Sequence, residues 1–303
     1  MSTRERKTIR LYAPCALLLS VLLPGAHADI LDTAATFAVL AGSTATNTGT
    51  STITGNLGVS PGSVVTGFPP GIVVGTTYQA GAVAGTAQND LTTAYNTLAG
   101  LSFNADLTGQ DLGGLTLLPG VYFFSSSAQL TGTLTLNAQG SNNALWVFEV
   151  GNTLTTASSS VIQIINGGPG DGLFWRVGSS ATLGTSTTFE GNILAAQSIT
   201  LNTGAIIPCG RALAINGAVT MDTNVISTAC TATAGWSASQ ALELSGINGN
   251  LGAGLSNPAN NSAADYNNSA VPEPSTPLLQ GIGIAGVAIR RKRARSKPQG
   301  HGA

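Results

Sequence analysis

Short apolar runs alternate with clusters of Thr, Ser, Gly and Asn from about residue 120 to residue 227. Val121-Tyr122-Phe123-Phe124, Leu145-Trp146-Val147-Phe148, Val161 to Ile165 and Leu173-Phe174-Trp175 are strand-length and bounded by turn formers. Four segments align without gaps: Thr153-Leu154-Thr155-Thr156-Ala157, Thr182-Leu183-Gly184-Thr185-Ser186, Thr200-Leu201-Asn202-Thr203-Gly204 and Thr220-Met221-Asp222-Thr223-Asn224. Each reads Thr, a large apolar residue, a mostly turn-prone residue, Thr, then usually a small residue, and successive copies lie 29, 18 and 20 residues apart. Short β segments recurring about every twenty residues with Gly, Asn or Asp corners predict a β-solenoid, whose coils bury apolar residues against their neighbours. A β-sandwich is the alternative, but it does not need one motif in register so many times.

One passage changes period. From Tyr78 to Ala99, apolar positions Ala80, Ala84, Ala87, Leu91, Ala94 or Tyr95, and Leu98 recur at three- and four-residue steps, and Gly100 supplies a stop. This predicts a long helix over about 78–99, with a stripe of alanines that lets it lie close along the solenoid. Upstream of it, Ile53-Thr54-Gly55-Asn56-Leu57 echoes Phe189-Glu190-Gly191-Asn192-Ile193. At least one coil therefore comes from before the helix, and the repeat is discontinuous in sequence.

Composition narrows the function. Only 8% of the chain is charged and 5% aromatic, with 39 Gly, which argues against a helical bundle or a charge-driven disordered chain. Between Asp29 and Ala270 the only cations are Arg176 and Arg211, set against eleven carboxylates, and there is no Lys and no His. Nucleic-acid binding needs clustered cations and is excluded there. With His27 and His301 both outside this stretch, a histidine-dependent catalytic set and a His-ligated metal are excluded as well. No cofactor or metal is expected.

The other ten cations sit at the two ends. Arg4, Arg6, Lys7 and Arg10, then the apolar Leu11 to Leu23, then Ala26-His27-Ala28, have the three-part layout of a secretory signal peptide over residues 1–28. Its removal takes Cys15 and leaves Cys209 and Cys230. In an oxidising compartment they can form one disulfide, worth on the order of 3 kcal/mol in the chain-entropy model, or remain two buried thiols. At the other end Val271-Pro272-Glu273-Pro274-Ser275 precedes the apolar Leu278 to Ile289 and the basic Arg290-Arg291-Lys292-Arg293-Ala294-Arg295. Residues 271–303 resemble the PEP-CTERM sorting signal, by which Gram-negative bacteria that make exopolysaccharide present proteins to a processing transpeptidase. That resemblance implies the cell surface or surrounding matrix as destination, with the transpeptidase and exopolysaccharide as partners. Residues 231–270, rich in Ala, Ser, Asn and Gly with few apolar anchors beyond Trp236, Leu242 and Leu244, read as a linker, so the folded unit is 29–230.

Thr54-Gly55-Asn56-Leu57-Gly58-Val59-Ser60-Pro61-Gly62, Gly67-Phe68-Pro69-Pro70-Gly71, the Ala-rich helix, Leu118-Pro119-Gly120-Val121-Tyr122, Phe174-Trp175-Arg176-Val177-Gly178, Gly191-Asn192-Ile193-Leu194-Ala195 and Gly210-Arg211-Ala212-Leu213-Ala214 follow in one order. Together they resemble the microbial ice-binding protein family. The resemblance implies a mainly β fold, a right-handed discontinuous β-solenoid with one helix packed alongside, and ice as the partner.

Two threonine columns are candidates for the site. Along a strand, residues i and i+2 share a face, roughly 6.7 Å apart, and stacked strands lie about 4.8 Å apart. The second Thr of each repeat starts the pairs Thr156 and Ser158, Thr185 and Thr187, Thr203 with Ala205, and Thr223 with Val225; Thr48 and Thr50, and Thr131 and Thr133, add looser matches. On one flat face these form an uncharged grid of hydroxyls and methyls, preorganised because Thr is stiff at χ1. The resemblance implies an ice-binding strand pattern of Thr, Ala or Gly, any residue, then Thr or Asn, to which Thr185 to Thr188 comes closest; Leu134, Ile206 and Ile226 depart from it. The first column, Thr153, Thr182, Thr200 and Thr220, is the second candidate, and the sequence leaves both open.

Two rival functions remain. One is a surface adhesin or matrix protein without strong ice activity. The other is a polysaccharide-active solenoid enzyme using two of Glu149, Asp171 and Glu190. Nothing in the sequence sets two carboxylates across a cleft, so the chain is expected not to be an enzyme.

Overall fold

The structure, a computed structural model, describes residues 30–230. The signal segment 1–28, the linker 231–270 and the sorting segment 271–303 lie outside the described residues. Parallel strands stack into three faces of a solenoid. The first runs Thr77–Gln79, Asn56–Val59, Phe37–Ala41, the second halves of Ile206–Ala214 and Thr188–Ala195, then Gly172–Val177, Leu145–Val150, Gly120–Phe124 and Ala105–Asp106. The second is a seven-stranded sheet in the order Ala128–Leu130, Leu154–Thr156, Ala181–Leu183, Ile199–Leu201, Val219–Asp222, Thr44–Thr48 and Val64–Thr66. The third holds Thr116–Leu117, Thr133–Asn137, Val161–Ile165, the first halves of the two long strands, Val225–Ser227, Thr52–Thr54 and Ile72–Val74.

The two long strands bend from the third face to the first at Gly191 (φ 102°) and Gly210 (φ 153°), which are register partners. A Cβ on Gly210 would lie 2.0 Å from the carbonyl oxygen of Gly191, so only glycine lets the coils approach there.

Residues 37–79 build the coils at one end, and the chain then returns through the helix α1, Gly81–Leu98, to start again at Ala105. Coils accumulate until the strands of residues 210–227 meet the first ones: Val39 pairs with Ala212, Thr46 with Thr220 and Ile53 with Ile226. The sheet is thus closed by strands far apart in sequence, as the echo of residues 53–57 in 189–193 required.

Inward side chains fill the solenoid. Tyr122, Phe148 and Trp175 are register partners with ring centroids 5.4 and 3.9 Å apart, and Phe189, from the third-face half of its strand, meets Trp175 at 5.2 Å. The helix buries Ala84, Ala87, Leu91, Ala94, Tyr95 and Leu98 against outward residues of the first face, including Leu40, Val147, Phe174 and Leu213. Each buried leucine contributes about 2 kcal/mol of apolar transfer. The helix begins three residues later than the periodicity predicts. Thr77–Gln79 is instead a strand on Asn56–Val59, and the left-handed Ala80 (φ 59°) and Gly81 (φ 87°) separate the two elements. Arg211 donates through Nε and Nη2 to the carbonyl of Ala35 and through Nη1 to Asn192 Oδ1 at 2.8 Å. Cys209, buried on a long strand, and Cys230 form a disulfide with Cα atoms 4.8 Å apart.

Candidate functional site

The second-Thr column does not run along one strand face; Thr48 and Thr156 end strands of the second face and Thr133 begins one of the third. It lies at the corner between the second and third faces, where each coil passes through a left-handed residue: Gly49, Gly132, Ser159, Ser186, Gly204 and Thr223 have φ between 56° and 89°. Alternation of side chains stops at such a residue, so the partners that flank one, Thr48 and Thr50, Thr131 and Thr133, Thr185 and Thr187, and Thr203 and Ala205, do not share a face. Three of these corners carry Gly in the middle of the pair, the one sequence signal that the pairs straddle a turn.

Thr156 and Thr187 are correspondingly buried, at 3% and 0% exposure, and cannot belong to an outer grid. Their hydroxyls bond each other at 2.8 Å, the Gly184 N–H donates to Thr156 Oγ1 at 2.8 Å, and Thr187 Oγ1 donates to the Ala157 carbonyl at 3.2 Å. They tie adjacent coils together at the corner. Thr48, Thr50, Thr131, Ser158, Thr185, Thr203 and Thr223 are exposed along the corner, and Thr133 opens the third face. Several of their hydroxyls are already engaged: Thr203 donates to Asp222, Thr223 to Asp222 Oδ1 at 3.1 Å, and Thr131 to Asp111 Oδ2 at 2.7 Å. Burial works upward on the Asp111 carboxyl, but the bonds from Thr131 and Gly113 outweigh it and hold the group below its usual range. Leu134 and Ile226 point inward and are fully buried, while Ile206 is half-buried on the third face.

The regular grid is on the second face. In register and pointing outward stand Gln129, Thr155, Thr182, Thr200, Thr220, Thr46 and Thr66, one from each of the seven strands. Two residues earlier in each coil a second outward column runs Ser127, Thr153, Ser180, Ser198, Ala218, Thr44 and Val64, by the same register. The apolar residue between the two columns, for example Leu154, Ala181, Ile199, Val219 or Ala45, is buried in the core.

Of the second candidate column, Thr182, Thr200 and Thr220 stand in one outward column, and the fourth member is displaced. Thr153 belongs to the neighbouring column and Thr155 takes its place, since Thr155 pairs with Thr182. Aligning the copies on Thr-large-apolar shifted the first one by two residues, a slip that keeps a side chain on the same face and so leaves no polarity clue. Sequence reasoning missed Thr44, Thr46, Thr66, Thr155, Ser180 and Ser198; the recurring hydroxyl, buried apolar residue, Thr triplet was the signal available.

Neither column contains a charged side chain. The hydroxyls are close enough to interact with one another: Ser127 Oγ and Thr153 Oγ1 are 2.8 Å apart and Thr46 Oγ1 is 3.4 Å from Thr220 Oγ1. A two-column array with spacings of about 4.8 by 6.7 Å offers hydroxyls that anchor water and methyls that restrict its orientation. The matching column of the third face differs: Thr133, Val161, Thr188, Ile206, Val225, Thr52 and Ile72.

The carboxylates of an enzyme reading are scattered. Glu149 is 6% exposed on the helix-covered face beside Arg176, whose guanidinium stacks 4.3 Å from the Tyr95 ring centroid. Burial raises the Glu149 carboxyl, against the pull of Arg176. Asp171 is fully buried and accepts the Ala144 and Gly168 N–H groups at 2.7 and 2.9 Å, so it closes a loop; Glu190 sits on a long strand by the corner. Among the described residues no three His, Cys, Asp or Glu side chains are grouped to hold a metal ion.

Comparison with known proteins gives a consistent set of similarities. Residues 39–227 match the family described as Ice-binding-like, and residues 270–293 match the PEP-CTERM protein-sorting motif. An ice-binding protein of Nostoc sp. (strain HG1) is 63% identical over 205 residues, 68% of this chain and 76% of that protein. One from Colwellia sp is 33% identical over 226 residues, 69% of this chain and 87% of its own. Among solved structures, the ice-binding protein of the Antarctic ascomycete Antarctomyces psychrotrophicus superimposes with a TM-score of 0.64 at 38% identity, covering 66% of this chain and 98% of that one.

Proposed function

The chain belongs to the Ice-binding-like family, and from that premise we propose that it adsorbs to ice through the hydroxyl grid of its second face, slowing growth or recrystallisation. The site comprises Thr46, Thr66, Thr155, Thr182, Thr200 and Thr220 with the neighbouring column of Thr44, Thr153, Ser180 and Ser198. The observation that carries it is register: six of seven strands bring Thr to the same outward position. A solid surface is periodic, and a side-chain array stiff at χ1 and fixed by parallel pairing loses little entropy on meeting one. The corner threonines named from the sequence border this grid but are bent away from it or buried.

Ice is the partner on this reading, and the protein acts without catalysis or cofactor. The sorting motif supports export to the cell surface or the extracellular matrix of a Gram-negative bacterium. There a transpeptidase processes the C-terminal segment, and contact with exopolysaccharide is compatible with ice adhesion.

Ice-affinity partitioning and recrystallisation assays on the exported chain test the site. The double variant Thr182→Tyr with Thr220→Tyr places two rings on the grid and should abolish both activities with the melting temperature retained. Survival of ice shaping in that variant would remove the second face as the site.

A further inference from the structure

Two negative charges border the hydroxyl grid. Among the described residues, Asp111 and Asp222 are the carboxylates in register with strands of the second face. Asp222 ends the strand Val219–Asp222 two residues after Thr220, so it points to the same side as that grid threonine, about 6.7 Å along the strand. Its register partner is Thr48. Asp111 pairs with Gln129 and so stands at the end of the column that runs through Thr155, Thr182 and Thr200. The described cations, Arg176 and Arg211, belong to the first face and lie opposite neither carboxylate.

A bare carboxylate is a poor neighbour for such a grid. An ion gathers water oriented on itself and releases it at far higher cost than a hydroxyl does, whereas the grid holds water by neutral hydroxyls and methyls. A carboxylate offers about four acceptor sites. At Asp111 the protein fills three of them, with the Gly113 N–H at 2.7 Å, the Thr131 N–H at 2.9 Å and the Thr131 hydroxyl at 2.7 Å. At Asp222 it fills two, with the Thr203 hydroxyl on Oδ2 and the Thr223 hydroxyl on Oδ1 at 3.1 Å. Every hydroxyl donor in this set is a corner threonine. Thr131 and Thr203 each reach a carboxylate of the neighbouring coil, 20 and 19 residues away in sequence.

We propose that Thr131, Thr203 and Thr223 are positioning residues for ice adsorption: they occupy the oxygens of Asp111 and Asp222, so that the two charges beside the grid do not impose ionic hydration on it. This rests on the grid as the ice-binding site and gives the corner threonines a part in it that direct contact does not. The bonds are charge-assisted and therefore stronger than those between neutral groups, so the screening persists in water.

Rescue of a lost charge screen is the test, read by ice-affinity partitioning of the exported chain. Thr203→Val with Thr223→Val keeps both shapes, removes both donors and leaves Asp222 bare; ice affinity should fall roughly fivefold. Adding Asp222→Asn to that pair takes the charge away and should return affinity to the native value. Each variant is assayed near the freezing point once circular dichroism shows it folded. Thr131→Val, with Asp111→Asn as its rescue, repeats the cycle at the end of the column and replaces the first pair if that pair does not fold. Native affinity in the valine variants overturns the proposal, since the hydroxyls then screen nothing. A loss that asparagine does not restore overturns it too, because the hydroxyls then touch ice themselves or only hold the corner. Failure of the underlying site has a different mark: Thr182→Tyr with Thr220→Tyr would still bind ice, and both readings would fall together.

Discussion

On the second face the central outward position is Thr in six of seven coils, whereas on the third the equivalent column alternates between Thr and Val or Ile. The inward columns are alike: Leu154, Ile199 and Val219 beneath the one, Ile162, Ile207 and Ile226 beneath the other, all buried. Thr, Val and Ile are similarly good strand formers, so the backbone accepts either on the outside. The core therefore does not dictate the segregation. What separates the faces is what they meet, and on the proposed function it is the second face that meets ice.

The comparison breaks most cleanly with a matched pair. Thr200→Tyr, at the centre of the hydroxyl grid, should lower ice activity about tenfold, as expected for a residue near the middle of a binding surface. Thr188→Tyr, on the third face, should leave it unchanged. Recrystallisation assays on both decide; equal losses would mean that the faces are not functionally distinct.

The disulfide tests what the faces share. It spans a sequence separation of 21, one full coil, and that coil bears Thr220 and meets the strands of residues 39–54. Cys230→Ser should cost about 3 kcal/mol in denaturant unfolding. The loss should equal that caused by reductant in the native chain, while ice activity near 0 °C stays intact as long as the coil is folded.

Adjacent threonines sharpen the contrast further. Thr156→Val leaves the buried Gly184 N–H without its acceptor and removes the bond to Thr187, costing about 2 kcal/mol with no change in ice activity. Thr155→Val, one residue away on the grid, should change stability by less than about 0.5 kcal/mol and weaken ice activity instead. Thermal melts beside ice partitioning separate the two; the opposite assignment would return the site to the corner.

Most of the architecture was legible because it rests on period. A twenty-residue recurrence, a three-to-four-residue stripe of alanines and the echo of residues 53–57 in 189–193 each report a backbone repeat. The site was half legible. Thr182, Thr200 and Thr220 stand out as a column, but Thr156 and Thr187 look the same in sequence and point into the core. The difference is made by one left-handed residue per coil: where it is Gly, as at Gly49, Gly132 and Gly204, the turn can be read, and where it is Ser159, Ser186 or Thr223 it cannot. Pairing across 174 residues, as for Thr46 with Thr220, leaves no local trace, so the ladder's continuation into the N-terminal coils needed the structure.

The smallest expected effect concerns pH, and it divides the faces by charge. The grid columns hold no titratable side chain, so ice activity should be flat from about pH 5 to 9, since nothing there changes protonation. Stability should not be flat. Burial raises the carboxyls of Glu149 and Asp171, so the folded state holds their protons more tightly than the unfolded one. Their contribution is complete below the unfolded value and is lost as pH rises through it toward the folded one. Asp106, lowered by its bonds from Thr108, and Asp111 work the other way and lose stability as pH falls. Glu149→Gln isolates one group: at low pH the native carboxyl is neutral, like the amide, and the two proteins should melt together. As pH rises past the ordinary carboxylate range the native chain alone must ionise a buried group or retain a proton, so the variant should melt progressively higher, with identical ice activity. A variant that instead melts progressively lower than the native chain as pH rises would mean that Arg176, not burial, governs Glu149, and that the helix-covered face is held by an ion pair.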